Sequence, residues 1–164
     1  MTNISLTAQS GIKSYRKAIS AFSLLVLLPL LLSLINITFA ESWKIHFFPA
    51  AIILAAIVFG AAGGIIAGIS GSLYSALFLG NPYILVGNAL FGLLIAVFYK
   101  KSNKIVPSVL LAYLCELPWL ILTDYYFVHL PSVFIAKLVV VLFLANILWA
   151  VLINISIKQI RKLL

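Results

Sequence analysis

Charged residues are scarce in this chain, and their scarcity excludes a water-soluble protein. Only 9% of the 164 residues are Asp, Glu, Lys or Arg, whereas 65% are hydrophobic. A soluble domain of this size needs a far larger charged surface to remain in solution. The composition therefore indicates an integral membrane protein. The net charge of +8 then reflects basic residues at the ends of membrane spans, and we expect no nucleic-acid partner.

Cysteine, histidine and the common catalytic motifs are also nearly absent. The single cysteine, Cys115, allows neither a disulfide framework nor a cysteine metal site. His46 and His129 are the only histidines and lie in different predicted loops, which is too few ligands for a metal site. The sequence contains no His-Glu-x-x-His, no Gly-x-Ser-x-Gly and no phosphate-binding Gly-x-x-x-x-Gly-Lys-Ser/Thr. We expect no metal, no other cofactor and no enzymatic activity.

The sequence does contain a series of long apolar segments, separated by turn residues and charges. Their approximate limits are residues 17–39, 47–61, 62–79, 82–99, 105–127 and 132–157. The stretch 47–79 is too long for one span and short for two, and the division into two rests on the distribution of charge. With six spans, nine of the eleven basic residues fall on one side: Lys13, Arg16, Lys17, Lys100, Lys101, Lys104, Lys158, Arg161 and Lys162. The positive-inside rule places that side in the cytoplasm.

We therefore predict an all-α integral membrane protein that forms a single membrane domain over residues 1–164. Its predicted architecture is a compact bundle of six transmembrane helices, with both termini in the cytoplasm. The predicted location is the cell (plasma) membrane, which the chain crosses several times, so that the lipid bilayer is its first partner.

Glycine is concentrated in the middle of the chain, where eight of the nine glycines lie between Gly60 and Gly92. Gly60, Gly64 and Gly68 recur every four residues, which aligns them on one face of a helix. Such a face lets another helix backbone approach closely. Two interpretations remain open: tight packing inside a small bundle, or a face that docks a partner subunit.

The same stretch resembles a known family. Residues 56–72 read AIVFGAAGGIIAGISGS, and residues 88–94 read NALFGLL and are soon followed by two lysines. These segments resemble the second to fourth spans of the S components of energy-coupling-factor (ECF) transporters, in which a Phe-Gly-Pro-x-x-Gly-x-x-x-Gly-x-x-x-Asp type pattern recurs. The family's proline is replaced here by Ala61 or Ala62, and its aspartate by Ser72.

The resemblance implies a substrate-binding subunit of an importer. An S component binds a vitamin or related micronutrient in a pocket that opens to the outside of the cell. It then associates with a transmembrane coupling subunit and two cytoplasmic ATPases, which supply the energy. The residues that would dock the coupling subunit are Ser14, Ala18, Gly60, Gly64 and Gly68. Ser14 with Ala18 is the nearest equivalent of the family's Ala-x-x-x-Ala coupling motif.

Polar residues inside the predicted spans indicate where a substrate would bind. A charge in hydrocarbon costs about 2.5–3.5 kcal/mol on insertion scales, so such residues are functional candidates. Asp124 and Lys137 are predicted at matching depths and could form an ion pair, which would be either structural or part of the site. Aromatic, amide and imidazole side chains cluster in the same outer half. The candidate substrate-binding residues are Trp43, His46, Asn81, Tyr83, Asn88, Glu116, Trp119, Asp124, Tyr125, Lys137 and Asn146.

Two other classes of protein fit the same length and span count. A structural membrane scaffold of the MreD cell-shape type would have similar spans but no ligand pocket. An intramembrane enzyme is disfavoured because no paired-aspartate or other catalytic spacing occurs. The outer half is aromatic, rich in amides and almost neutral, which suits a small aromatic compound better than a polyphosphate or a metal ion.

Overall fold

The computed structural model describes residues 19–39 and 43–163, and most of them are helical. Helix α1 (Ile19–Ser33) leads into a two-stranded antiparallel hairpin of β1 (Asn36–Phe39) and β2 (Trp43–His46). The remaining elements are α2 (Phe48–Leu79), α3 (Tyr83–Ser102), α4 (Ile105–Leu122, continued by a π-helical turn at Thr123–Phe127) and α5 (Ser132–Leu163).

The predicted membrane-helical character is confirmed, and a short β-hairpin that was not predicted lies between α1 and α2. Within the described residues, α2 to α5 are the four helices that are long and apolar enough to cross a membrane. Strand β2 lies in the predicted first outer loop, whereas β1 takes the place of the end of the first predicted span, which was expected to run to residue 39. The backbone hydrogen bonds of the hairpin pair Ile37 with Ile45, so the polar groups of this segment are satisfied locally.

Helix α2 is not straight, because the chain reverses at Gly60. Gly60 has φ 69° and ψ −156°, a conformation that is essentially restricted to glycine. A methyl group placed on Gly71 would lie 3.2 Å from the Phe48 ring, although these residues would be about 34 Å apart in a straight helix. Residues 48–59 (the first arm) and 61–79 (the second arm) are therefore antiparallel. The reversal lies within two residues of the boundary that was predicted between the second and third spans.

Helix α1 packs along the second arm. Pro29 has no N–H to donate to the Leu25 carbonyl in the α-helical pattern, and the Ser70 hydroxyl donates to that carbonyl instead, at 2.8 Å. The Pro29 ring also lies against Gly71. A backbone acceptor in an apolar environment thus gains a partner from the neighbouring helix, which ties the first element to the centre of the bundle.

Helix α3 packs against the second arm through residues without side chains. Gly64 contacts Gly92 backbone to backbone, and Gly68 contacts the Asn88 carbonyl in the same way. A side chain at either glycine would collide with the α3 backbone. The glycine face is therefore an internal helix contact, in agreement with the packing interpretation.

The two ends of the bundle differ in character. The hairpin, the turn at residues 80–82 and the turn at residues 128–131 lie at one end. The reversal at Gly60 and the connection between α3 and α4 lie at the other end, with Lys100, Lys101 and Lys104 beside that connection. We call these the hairpin end and the basic end.

Candidate ligand-binding cavity

A cavity of about 780 Å³ lies at the hairpin end of the bundle. Its walls come from the hairpin, both arms of α2, and helices α3, α4 and α5. This volume falls within the range of about 300–1,000 Å³ that is usual for small-molecule sites. The cavity differs from the lipid-facing surface in its chemistry, because amide, carboxyl, imidazole and ammonium groups line it together with aromatic rings.

The structure brings most of the predicted site residues together in this cavity. The side chains of ten of the eleven candidates are described, and nine of these ten line the cavity: His46, Asn81, Tyr83, Asn88, Glu116, Trp119, Asp124, Lys137 and Asn146. Tyr125 lies elsewhere, since its half-exposed ring lines a separate shallow depression with Ile121 and Ser132. The side chain of Trp43 lies outside the described part of the chain.

The β-hairpin contributes two polar residues to the cavity that were not predicted as site residues, Asn36 and Lys44. Lys44 and His46 are two positions apart on β2, and Asn36 pairs with His46 across the hairpin, so all three side chains point to one face. That face lines the cavity. The alternation of apolar and polar residues from Trp43 to His46 was the available signal, and it was overlooked because the segment was interpreted as a loop.

Asp124 is held by the turn between α2 and α3. The Asn81 amide nitrogen donates to the Asp124 carboxylate at 3.0 Å, and the Asn81 amide oxygen accepts the Tyr83 N–H at 3.1 Å. The Leu130 N–H donates to the Asp124 carbonyl at 2.9 Å, which fixes the following turn as well. Asp124 and Asn81 are both buried. Asp124 therefore joins the turn at residues 80–82 to the end of α4.

The structure pairs Asp124 with Asn81, where the sequence predicted Lys137. Asp124 lies in the π-helical turn at Thr123–Phe127, whose wider winding rotates its side chain relative to a regular helix. Matching depth along two helices was therefore insufficient to predict contact. Lys137 does line the cavity from α5, on the same helical stripe as Phe134 and Val141.

Glu116 is the carboxyl group of the cavity without a protein partner. Its side chain is 8% exposed, and no described residue forms a hydrogen bond or ion pair with it. The carboxyl lies beside Gly87, where a methyl group would be 3.1 Å from Oε1. Because no described residue bonds to it and it lines the cavity, a partner for this carboxyl would come from the cavity.

An aromatic wall stands next to Glu116. The Trp119 indole N–H donates to the Tyr83 carbonyl at 3.2 Å, which joins α4 to the start of α3 and holds the ring in place. The edge of the same indole lies 3.3 Å from the methyl position of Gly87. The Tyr83 ring packs against Trp119 with ring centres 6.5 Å apart and the planes 62° from parallel.

His46 forms part of the cavity wall, in surroundings that disfavour its charged form. Burial, and to a smaller extent the nearby Lys44 ammonium, lower the pKa of His46 from its usual value of 6.5. Its Nδ1 atom is buried, and no hydrogen-bond partner for it occurs within the described residues. The Trp149 indole donates to the His46 carbonyl at 3.0 Å and anchors the end of β2 against α5.

The described residues among those predicted to dock a coupling subunit differ in their accessibility. Ser14 and Ala18 lie outside the described residues. Gly64 and Gly68 are covered by α3, so a partner subunit cannot reach them. Gly60 lies at the reversal of the chain at the basic end, and a methyl group there would have no atom within 4 Å.

The polar groups of the cavity do not form a metal site within the described residues. No group of three or more His, Cys, Asp or Glu residues that could hold a metal ion occurs in the described part of the chain. Polar groups of both signs and several aromatic rings surround the space, an arrangement that can orient a small planar compound. Comparison with family models, curated proteins and solved structures finds no match for this chain.

Proposed function

We propose that this protein is the substrate-binding subunit of an ECF-type importer and captures a small vitamin-like or heterocyclic micronutrient from outside the cell. The observation that carries the proposal is the cavity of about 780 Å³ at the hairpin end. Polar side chains are costly inside a membrane bundle, and this cavity gathers several of them on one interior surface together with aromatic rings. Such a lining can orient and bind a small polar ligand.

The orientation of the cavity supports uptake. The basic end carries Lys100, Lys101 and Lys104, and the positive-inside rule assigns such residues to the cytoplasm. The hairpin end and its cavity then face outward. In this arrangement α1, the two arms of α2, and α3 to α5 provide six crossings with both termini inside. The first arm is only about 18 Å long, so the bilayer is locally thin around it.

The importer would need partner subunits for energy. The sequence contains no phosphate-binding loop, so ATP hydrolysis would be supplied by two cytoplasmic ATPases through a transmembrane coupling subunit. Among the described docking residues, Gly60 is the one that no internal helix contact covers. Ser14 and Ala18 stay predicted docking residues. A structural scaffold of the MreD type, by comparison, has no use for a polar cavity.

A co-purifying ligand would test this function directly. We expect native mass spectrometry of the purified protein to detect a retained small organic molecule. Leu138→Trp should abolish retention because Leu138 lines the cavity, whereas Leu148→Trp, the same change at an exposed position of α5, should not. Size-exclusion profiles would establish that both variants remain folded. The proposal fails if the parent protein retains no small molecule and is not stabilised by any compound of a vitamin panel.

A further inference from the structure

We propose that the ligand presents to Glu116 the edge of a flat nitrogen heterocycle on which an amino group stands next to a ring nitrogen. We call this arrangement the amino-azine edge. The inference rests on the proposed function and specifies the class of substrate. It follows from the contrast between the two carboxyl groups of the cavity and from the space that surrounds one of them.

The two carboxyl groups differ in whether the protein satisfies them. Asp124 accepts a hydrogen bond from Asn81 at 3.0 Å and therefore acts within the fold. Glu116 has no such bond among the described residues, although only 8% of its surface is exposed. Both side chains line the same cavity. Glu116 is thus the carboxyl group that is available to a ligand.

The surroundings of Glu116 favour a planar ring. Glu116 and Trp119 both line the cavity, so the carboxyl and the indole border one space. Gly87 lets α3 pack closely against both, since a methyl group there would lie 3.1 Å from Oε1 and 3.3 Å from the indole. The indole is held by its bond to the Tyr83 carbonyl. A flat ligand can therefore contact the indole while its edge reaches the carboxyl group.

The amino-azine edge matches a carboxyl group in either protonation state. A neutral carboxyl donates its proton to the ring nitrogen and accepts from the amino group. A carboxylate accepts two parallel N–H bonds when the ring nitrogen carries the proton. Two hydrogen bonds form in both cases, so the pairing tolerates the shift of a proton between the partners. A carboxylate or phosphate group on the ligand would instead repel an ionised Glu116.

Three matched probes distinguish this pairing from binding that depends only on the aromatic ring or only on charge. 2-Aminopyridine carries the proposed edge, 2-methylpyridine replaces its amino group by a methyl group of similar size, and 4-aminopyridine moves the amino group away from the ring nitrogen. We expect saturation-transfer NMR on the full-length protein in nanodiscs to show 2-aminopyridine bound about tenfold tighter than either analogue. Equal binding of 2-methylpyridine would refute the pairing. Equal binding of 4-aminopyridine would show a general cation site and would refute it as well.

Variants of Glu116 assign the preference to this side chain. Glu116→Leu should abolish the preference for 2-aminopyridine over 2-methylpyridine. Glu116→Gln should retain part of it, because a carboxamide still offers one acceptor and one donor. Cys115→Leu is the control, because Cys115 is the neighbour of Glu116 on α4 but is exposed and does not line the cavity, and it should leave the preference unchanged. A preference that persists in Glu116→Leu, in protein that elutes like the parent, would overturn the assignment.

The failure of this inference can be told from a failure of the proposed function. If native mass spectrometry identifies a retained compound without an amino-azine edge, the inference is wrong while the binding function stands. If no compound is retained and no probe binds, both are wrong. A retained compound that carries the edge, and that is lost in Glu116→Leu but not in Cys115→Leu, supports both.

Discussion

At the scale of single residues, the interior of this bundle shows how a polar group is kept in an apolar environment. Asp124 and Asn81 form a closed unit, because the amide donates to the carboxylate and accepts from the Tyr83 N–H. Both residues are buried, with 4% of Asn81 and 6% of Asp124 exposed. The unit connects two turns that are far apart in sequence, and its loss should lower the stability of the fold.

Asp124→Leu should lower the free energy of unfolding by about 1–3 kcal/mol, because the Asn81 amide is then buried without an acceptor. Asp124→Asn keeps an acceptor oxygen and should cost much less. The double variant Asp124→Leu with Asn81→Leu should recover part of the loss, since both polar groups are gone. Thermal unfolding in detergent would measure all three, and an unchanged midpoint in Asp124→Leu would exclude a structural role for the pair.

The lowered pKa of His46 predicts that the stability of the fold depends on pH. The pKa is lowered by burial and by Lys44, so the unfolded chain binds a proton at a higher pH than the folded chain does. The contribution of His46 to stability is therefore complete above about pH 6.5 and decreases as the pH falls toward the lowered pKa. We expect the unfolding temperature to decline over this window in the parent protein and to decline less in His46→Gln. Parallel pH profiles for the two proteins would contradict the assignment.

At the scale of elements, the reversal of α2 depends on one backbone conformation. Gly60 has φ 69° and ψ −156°, whereas Gly80 at the end of α2 has φ 63° and ψ 24°. Asparagine tolerates the second conformation but not the first. Gly60→Asn should therefore lower the free energy of unfolding by about 1–3 kcal/mol, and Gly80→Asn should cost little. Similar unfolding curves for the two variants would show that the reversal does not depend on the glycine conformation.

The glycine-rich segment also shows what sequence could and could not predict. The four-residue spacing predicted a close helix contact, and the contacts of Gly64 with Gly92 and of Gly68 with Asn88 provide it. The spacing could not tell which backbone would occupy the face, because a small-residue stripe is equally complementary to any helix. The β-hairpin and the π-helical turn at Thr123–Phe127 were not predicted, since both depend on contacts with distant elements.

The candidate site was more predictable than its internal geometry. Ionisable and amide side chains within apolar segments must face away from lipid, and in a small bundle they converge on the same interior space. This is why Glu116, Asn146 and Lys137 were identified from sequence alone and line one cavity. Their partners depend on helix rotation, which no residue pattern specifies. The role of Gly87 was equally hidden, because it follows from the absence of a side chain beside Glu116.

At the scale of the whole molecule, the opposite character of the two ends is what connects the structure to the proposed uptake. The cavity opens at the hairpin end, and Lys100, Lys101 and Lys104 lie at the other. If the positive-inside rule holds, the cavity receives its ligand from outside, and the basic end is available to cytoplasmic partners. The orientation therefore determines whether a binding subunit of this shape can serve import.

Cysteine labelling of intact cells tests that orientation. In a Cys115→Ser background, Ser132→Cys at the hairpin end should react with a membrane-impermeant maleimide, because Ser132 is exposed beside the turn at residues 128–131. Ser102→Cys, which is equally exposed at the basic end, should react only after permeabilisation. The two sites serve as controls for each other, since both are serines at helix ends. If only Ser102→Cys were labelled in intact cells, the cavity would face the cytoplasm. It could not then collect a nutrient from outside, and the proposed orientation would be wrong.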